Sequence, residues 1–422
     1  MTAIDSASTT PSPPSFRDLW LGGVALFVVV VTLLLAYLAP LGFAPLISLA
    51  GLLALPGVRL TRTTAPPLLI LLALAIWAAA SMSWSPDAVA FSALKKYGDF
   101  EKLTAAKLFL QLLTYGAAVV ALRRLSPPAS HRAATVLAWG LVALSAVVLI
   151  DALGGAGIYQ YLRVLTGDPI RPDLAMVKVS TATYAMTLLI WPVSLILSRR
   201  HVAPMVTLFL IAALVVSAKI VSSDACLLAL IVGLFAWGLV RLAGKTGARI
   251  LIALVAIPFI LAPLAVLVGV ETGLVNKLHQ LVPPSWDARL NIWTFAADHV
   301  QTHPFRGWGL DASRTFGDAI PLHTHNAQLQ LWLELGAIGA ALAGIFFCWM
   351  AYGVLRLVDR SRGEAAAAAG SLVSYLVIGA LSFGVWQEWW IALGAITLIA
   401  LGLIPAGAPE VTSQLDELSS FG

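Results

Sequence analysis

Long apolar runs alternate along the chain with short stretches rich in charge, proline or glycine, and most of the runs lack the polar face of a soluble amphipathic helix. A bilayer crossing takes roughly 20 apolar residues. The pattern predicts twelve transmembrane helices, at 19–39, 42–57, 66–84, 103–122, 133–153, 178–198, 202–219, 224–243, 249–270, 327–353, 366–384 and 388–406. The fold class expected is an all-α polytopic membrane protein. Its first nine spans occupy 19–270 and its last three 327–406, separated by a large, partly helical loop at 271–326 just before the tenth helix. Residues 1–18, rich in Ser, Thr and Pro, have neither a basic start nor an apolar core and are expected to be a disordered tail, not a cleaved signal peptide. Residues 407–422 form a second tail.

Composition agrees with this reading. The chain is 59% hydrophobic and 11% charged, against about 25% charged residues in soluble domains, which excludes a soluble enzyme on a single anchor. The net charge of +5 matters by location more than by sum, and no nucleic-acid partner is expected. One set of short loops, from Arg59 and Arg62 through Arg123, Arg124, Arg132, Arg199, Arg200, Arg241, Lys245 and Arg249 to Arg356, Arg360 and Arg362, holds thirteen basic residues against two acids. The alternate set, with the charges near it, holds twelve basic and fourteen acidic residues. The positive-inside rule makes the first set cytoplasmic, and with it both termini. The connections 85–102, 154–177 and 271–326 then lie outside, in the periplasm of a diderm bacterium, around a multi-pass protein of the inner (cytoplasmic) membrane. Cys226 and Cys348 fall in apolar runs and read as buried free thiols.

The charges that touch apolar segments, Lys107, Asp151, Lys178, Lys219, Asp224 and Glu334, sit near predicted ends. No pair of interrupted spans recurs at matching positions in two halves, the usual pointer to a secondary transporter. A site at the outer membrane–water boundary is favoured over a midplane ion path.

The 56 residues of 271–326 are far longer than an ordinary connection, and such loops are usually functional. Residues 285–301 have a helical pattern, with Ser285 able to cap, Trp286 and Asp287 in the first turn, and Leu290, Trp293 and Ala297 on one face. The tryptophans favour a place in the interface. Arg289 on this helix reads in two ways: a guanidinium forked onto phosphate oxygens, or an interfacial arginine paired with Asp287 or lipid headgroups. Arg306 and Arg314, in a turn-rich stretch after it, are further cations. His325 and Asn326 stand where the loop re-enters the membrane. An imidazole there can take a proton from a hydroxyl, or simply bond a loop carbonyl; Asn326 can orient it or cap the helix. His323 competes for any role given by proximity. Glu334, roughly 13 Å deeper at 1.5 Å rise per residue, is either satisfied by polar neighbours or functional. Gly336 and Gly339 allow another helix to approach closely.

His325-Asn326, nine residues, Gly336, two residues and Gly339 resemble the signature H-[NSQ]-x9-G-x-x-[GTY] of bacterial O-antigen ligases, a superfamily that includes O-antigen polymerases and protein O-oligosaccharyltransferases. The twelve-span layout and large outer loop resemble that family too, as does a helix bearing Arg289 followed by His303-Pro-Phe-Arg-Gly-Trp-Gly-Leu-Asp311, similar to the family's P-x-x-G-x-G pattern. The resemblance implies essential roles for His325 and Arg289. It also implies a basic residue at the outer end of the sixth span, a place held here by Lys178 where arginine is usual, with Arg163 and Arg171 as alternatives and a snorkelling anchor as the plain reading of Lys178.

The function so implied is transfer of a polysaccharide from undecaprenyl pyrophosphate to a sugar hydroxyl of lipid A–core at the periplasmic face, in lipopolysaccharide biosynthesis. Expected partners are the undecaprenyl-pyrophosphate-linked O-antigen, the lipid A–core acceptor and membrane lipids. The chain has no Asp-x-Asp pair, no P-loop and no cluster with metal-ligand spacing, so no cofactor and no metal are expected, with cationic side chains meeting the charge of the leaving pyrophosphate. An inverting displacement is expected, with His325 as base or, alternatively, as a pyrophosphate ligand. Trp386, Trp389 and Trp390 read as an aromatic belt or, more sharply, as a platform on which sugars stack; Lys95, Lys96, Lys102 and Tyr97 read as a solvated outer stretch. A polymerase and a protein glycosyltransferase remain within the class, a lipid-linked glycan transporter lies outside it, and oligomeric state is not readable from small residues.

Overall fold

The computed structural model describes residues 15–87, 103–198 and 203–404. The first fourteen residues, the Lys95 to Lys102 stretch, Arg199, Arg200 and the 407–422 tail lie outside the described residues. Among the described residues the regular structure is entirely helical. The helices are α1 (Phe16–Leu38), α2 (Phe43–Leu53), α3 (Ala65–Ser81), α4 (Thr104–Leu122), α5 (Pro127–Leu153), α6 (Gly157–Leu165), α7 (Pro172–Leu197) and α8 (Ala203–Ile220). They continue with α9 (Asp224–Glu271), α10 (Leu274–His279), α11 (Pro284–Val300), α12 (Ala327–Val358), α13 (Arg362–Leu381) and α14 (Glu388–Gly402). Seven of them, α1, α4, α5, α7, α9, α12 and α13, are long and apolar enough to cross a membrane, and four apolar helices are shorter. This is a multi-pass α-helical membrane protein.

The expected spans 224–243 and 249–270 fall on one continuous element, α9, which turns back on itself. Gly244 takes φ 55° and ψ −126°. A Cβ on Gly247 would lie 2.2 Å from the Leu239 carbonyl oxygen eight residues earlier, a distance that about 12 Å of straight helix would forbid. α9 is thus two helices joined by a glycine-dependent reversal, and α12 and α13 pack against it.

Two of the charges in the apolar helices, Asp151 and Lys107, meet partners on neighbouring elements. Asp151, 1% exposed, accepts from the Tyr37 hydroxyl at 2.6 Å and from the backbone N–H of Ile158 at 2.6 Å and Tyr159 at 3.3 Å, so it anchors α6 to α1 and α5. Lys107 pairs with Glu388 at 2.6 Å, tying α4 to the start of α14. Cys226 is buried and free, whereas Cys348 is only half-buried, because its face of α12 is partly open.

The second glycine break organises the functional end. α12 is interrupted at Gly336, with φ 63° and ψ −164°, a region essentially reserved for glycine. The break exposes backbone groups that lipid would leave unsatisfied, and irregular backbone at that depth requires protein around it. The loop 304–309 supplies it. Trp308 and Gly309 donate their N–H groups to the carbonyls of Leu333 and Glu334 at 2.9 and 2.7 Å, and Ala337 and Ile338 donate to those of Pro304 and Phe305 at 2.8 and 3.4 Å. Trp77 of α3 caps the Leu335 carbonyl through Nε1 at 3.0 Å. The expectation that Gly336 serves close approach is correct in kind, but its partner is loop backbone rather than a helix: a Cβ there would lie 2.3 Å from the Phe305 carbonyl oxygen.

Candidate active site

The docked loop continues into a second anchor. Glu334, fully buried, accepts from Ser313 Oγ at 2.5 Å, Trp386 Nε1 at 2.6 Å, Gln330 Nε2 at 2.9 Å and the Asp311 N–H at 3.1 Å. Glu334 is therefore satisfied by polar neighbours, and its carboxylate joins the loop, α12 and the turn before α14. Gln330 in turn accepts the Val385 N–H on Oε1 at 2.9 Å. Trp386 is committed to this contact and Trp390 is 2% exposed, its ring stacked on Tyr375 at 4.6 Å. Of the three tryptophans singled out as a sugar platform, only Trp389 keeps much open surface; it packs edge-on against Phe383 at 4.7 Å and Tyr184 at 6.4 Å.

α11 begins at Pro284, with Pro283 as its cap residue and no side-chain cap bond. Ser285 does not cap, because proline at the first position already presets the helical φ and lacks the N–H to be capped. Leu290 and Ala297 are buried as expected, and Trp293 donates Nε1 to the Thr324 carbonyl at 2.9 Å, which ties α11 to the segment carrying the histidines. Asp287 pairs with His279 at 2.6 Å, and among the described residues Arg289 has no ion pair of its own. The Arg289 guanidinium lies 5.2 Å from the Trp286 ring centroid. Burial works against its charge, opposed by Tyr184 of α7 and Asp224 at the start of α9.

His325 takes φ 52°, the left-handed region. Asn326 caps α12 by accepting the Leu329 N–H on Oδ1 at 2.9 Å, so of its two expected roles it performs the cap. The His325 ring meets the Ser382 carbonyl through Nδ1 at 2.9 Å. A carbonyl only accepts, so Nδ1 carries the proton and Nε2 keeps its lone pair free. Bonding a loop carbonyl and acting as a base thus become the two ends of one ring. Burial lowers the proton affinity of His325, the Ser382 carbonyl raises it and the Arg289 charge lowers it again, which places the arginine within electrostatic reach of the imidazole.

The remaining candidates spread around this pair. Arg314 is within electrostatic reach of His323 and pairs with Asp311 at 3.4 Å. Arg306 is exposed and lies over the Trp84 ring at 5.7 Å. Lys178 is exposed on α7 and makes no ion pair among the described residues. Arg171 pairs with the adjacent Asp173 at 2.6 Å and Arg163 with Asp168, both on the surface. Among the described residues no hydrogen bond or ion pair joins Lys178 or Arg171 to His325 or Arg289.

Tyr184, Ser382 and Gln387 join the site without a sequence signal strong enough to find them, and Asp224 stands out in the sequence only as a charge near a span end. Ser382 acts through its backbone, and Tyr184 and Asp224 belong to helices distant in the chain. The docking of 304–309 against Gly336 had a signal, the P-x-x-G-x-G pattern beside the motif glycine, but not a pairing.

Residues 205–344 match the family model described as O-Antigen ligase. This segment holds Arg289, Arg306, Arg314, His325, Asn326, Gly336 and Gly339; Lys178, Arg171 and Trp389 lie beyond it. A Rickettsia prowazekii protein bearing the name "putative polysaccharide ligase" is 34% identical over 137 residues, covering 29% of this chain and 33% of that protein. Its namesake in Rickettsia typhi is 33% identical over 137 residues, 29% and 33% of the two chains. A Rickettsia felis protein of the same name is 31% identical over 151 residues, 32% and 36% of the two chains. The alignments thus span about a third of the relatives' length. The resemblance read from the histidine–glycine signature is borne out over residues 205–344, the part of this multi-pass helical membrane protein that is similar to the O-antigen ligase family.

Proposed function

We propose that the protein is an O-antigen ligase of the bacterial inner membrane, with both termini cytoplasmic, about twelve transmembrane helices and its site at the periplasmic face. It moves polysaccharide from undecaprenyl pyrophosphate to a sugar hydroxyl of lipid A–core with inversion at the anomeric carbon. The observation that carries this reading is His325, its Nδ1–H held on the Ser382 carbonyl and its Nε2 without a partner among the described residues, within the field of the half-buried Arg289. The acceptor oxygen bonds to the anomeric carbon while its proton passes to His325 Nε2. The bond from that carbon to the pyrophosphate oxygen breaks, and the electron pair leaves with the lipid carrier. Arg289, unpaired by Asp287, meets the charge that develops on the leaving group. Arg314, Arg306 and, on α7, Lys178 supply further positive charge; Asn326 fixes the start of α12, and Trp389 offers a ring face to sugar. Arg171, surface-paired with Asp173, has a lesser part at the donor's edge. Among the described residues no group of three or more His, Cys, Asp or Glu side chains is arranged to hold a metal ion, and the reaction is proposed to run on these cations.

Purified protein in liposomes, given lipid-linked polysaccharide and lipid A–core in EDTA, is expected to form the conjugate. A correctly folded preparation that forms none defeats the ligase reading, and extension of the lipid-linked chain in its place identifies a polymerase. In the same assay Arg289→Lys is expected to lose about 10–100-fold in rate despite its retained charge, because ammonium lacks the planar fork. Equal rates for the two residues would reduce Arg289 to a point charge.

A further inference from the structure

His325 occupies a backbone conformation that L-residues seldom adopt, and its ring must nevertheless stay in one orientation. Its own side chain and the Asn326 cap account for part of the restraint. The rest comes from His323, 7% exposed, whose Nδ1 receives the His325 backbone N–H at 3.1 Å. The two rings stand 4.2 Å apart. Because Nδ1 accepts, the neutral His323 ring carries its proton on Nε2. The Gln387 amide that meets Nε2 at 2.9 Å must then present its oxygen. Gly384 completes the enclosure: a Cβ there would lie 3.0 Å from both His323 Cγ and Gln330 Oε1. The chain Gln387–His323–His325 N–H runs parallel to the Ser382 carbonyl that holds the reactive ring.

We propose that His323 is a positioning residue for His325: as a neutral acceptor it holds the His325 backbone, and so the reactive ring, and it does so only while unprotonated. This rests on the reading of His325 as the base. Protonation of Nδ1 removes the accepting lone pair and sets a second cation beside the working imidazole. The surroundings resist that change. Burial, and then the charges of His325, Arg314 and Arg289, push His323 down to about 3. Those three face it from its own segment, the 304–316 loop and α11. Glu388, next to Gln387, is neutralised by Lys107.

His323→Leu removes the acceptor, whereas His323→Asn keeps one, since an asparagine oxygen bonds the N–H two residues ahead. His323→Leu is expected to lower kcat on the order of 100-fold with the donor KM within about threefold of wild type, and His323→Asn to recover to within about tenfold of wild type. Wild-type turnover by His323→Leu, or a folded His323→Asn as slow as His323→Leu, overturns the proposal. Should His323→Leu fail to fold, Gln387→Glu decides: a carboxylate at Nε2 favours the imidazolium, so the acid limb of the kcat profile is expected to move toward neutral pH, and an unmoved limb counts against the role. His325→Ala, measured alongside, separates the two ideas. If it keeps wild-type turnover, the base assignment itself is wrong; if it is inactive while His323→Leu is unaffected, only the positioning role falls.

Discussion

His325→Ala is expected to lower conjugate formation by about 10²–10⁴-fold, the usual contribution of a positioned general base, while expression, membrane insertion and elution in detergent stay those of wild type. The folded state should survive because the substitution deletes one ring and its bond to the Ser382 carbonyl, and leaves the Asn326 cap and the Trp293–Thr324 bond in place. The base works unprotonated. Burial first, and Arg289 after it, hold His325 below the ordinary imidazole value of 6.5 against the pull of the Ser382 carbonyl. The wild-type rate should therefore persist on the acid side of pH 6.5 and fall only as pH drops through the lowered value. A variant that joins glycan to acceptor at near the wild-type rate would remove His325 from the chemistry, and the proposed displacement with it.

The second large effect is on folding, and it falls on a residue with no chemistry. Gly336→Ala places a methyl group 2.3 Å from the Phe305 carbonyl oxygen, at a φ and ψ that alanine does not tolerate. Strain of about 1–3 kcal/mol from the backbone adds to a similar cost of overpacking against atoms that are themselves backbone. Relief requires the 304–309 loop to withdraw, which breaks four backbone bonds and leaves the carbonyls of Leu333 and Glu334 without donors. The loop also presents Asp311 and Ser313 to Glu334, so its withdrawal strands a buried carboxylate. Most of the Gly336→Ala protein is expected to be lost from the monodisperse peak after extraction, and the remainder to melt well below wild type. Unchanged elution and melting would show that the break in α12 does not depend on glycine. Gly339, three residues on, lacks the positive φ, but a Cβ there would lie 2.2 Å from Leu335 Cβ across the break, so the same change is expected to destabilise by overpacking without the added backbone strain.

Much of the helical layout was legible because burial in lipid demands long apolar runs, and such runs leave a mark that one sequence carries by itself. The expected span 42–57 corresponds to α2, which covers only Phe43–Leu53. Cap chemistry was less readable: Ser285 looked like a cap, but Pro284 starts the helix one residue earlier. The three tryptophans near α14 could not be sorted by composition, since whether an indole faces sugar or core depends on a partner far away in the chain. For Trp386 that partner is Glu334, 52 residues earlier.

The sequence alone determined the apolar helices, the long loop before α12 and the identity of the groups able to do chemistry, an imidazole and a guanidinium within a histidine–glycine signature. It did so because these are properties of composition and spacing. Only the tertiary structure decided which nitrogen of His325 meets the Ser382 carbonyl, that Asp287 pairs with His279 and not with Arg289, that His323 is an acceptor, and that the loop plugs the break at Gly336. Each of these depends on a hydrogen-bonding or steric partner outside the residue's own element, most of them far away in the chain, such as the Ser382 carbonyl, Gln387 or Phe305, and the direction of a bond is settled only when both ends are in place.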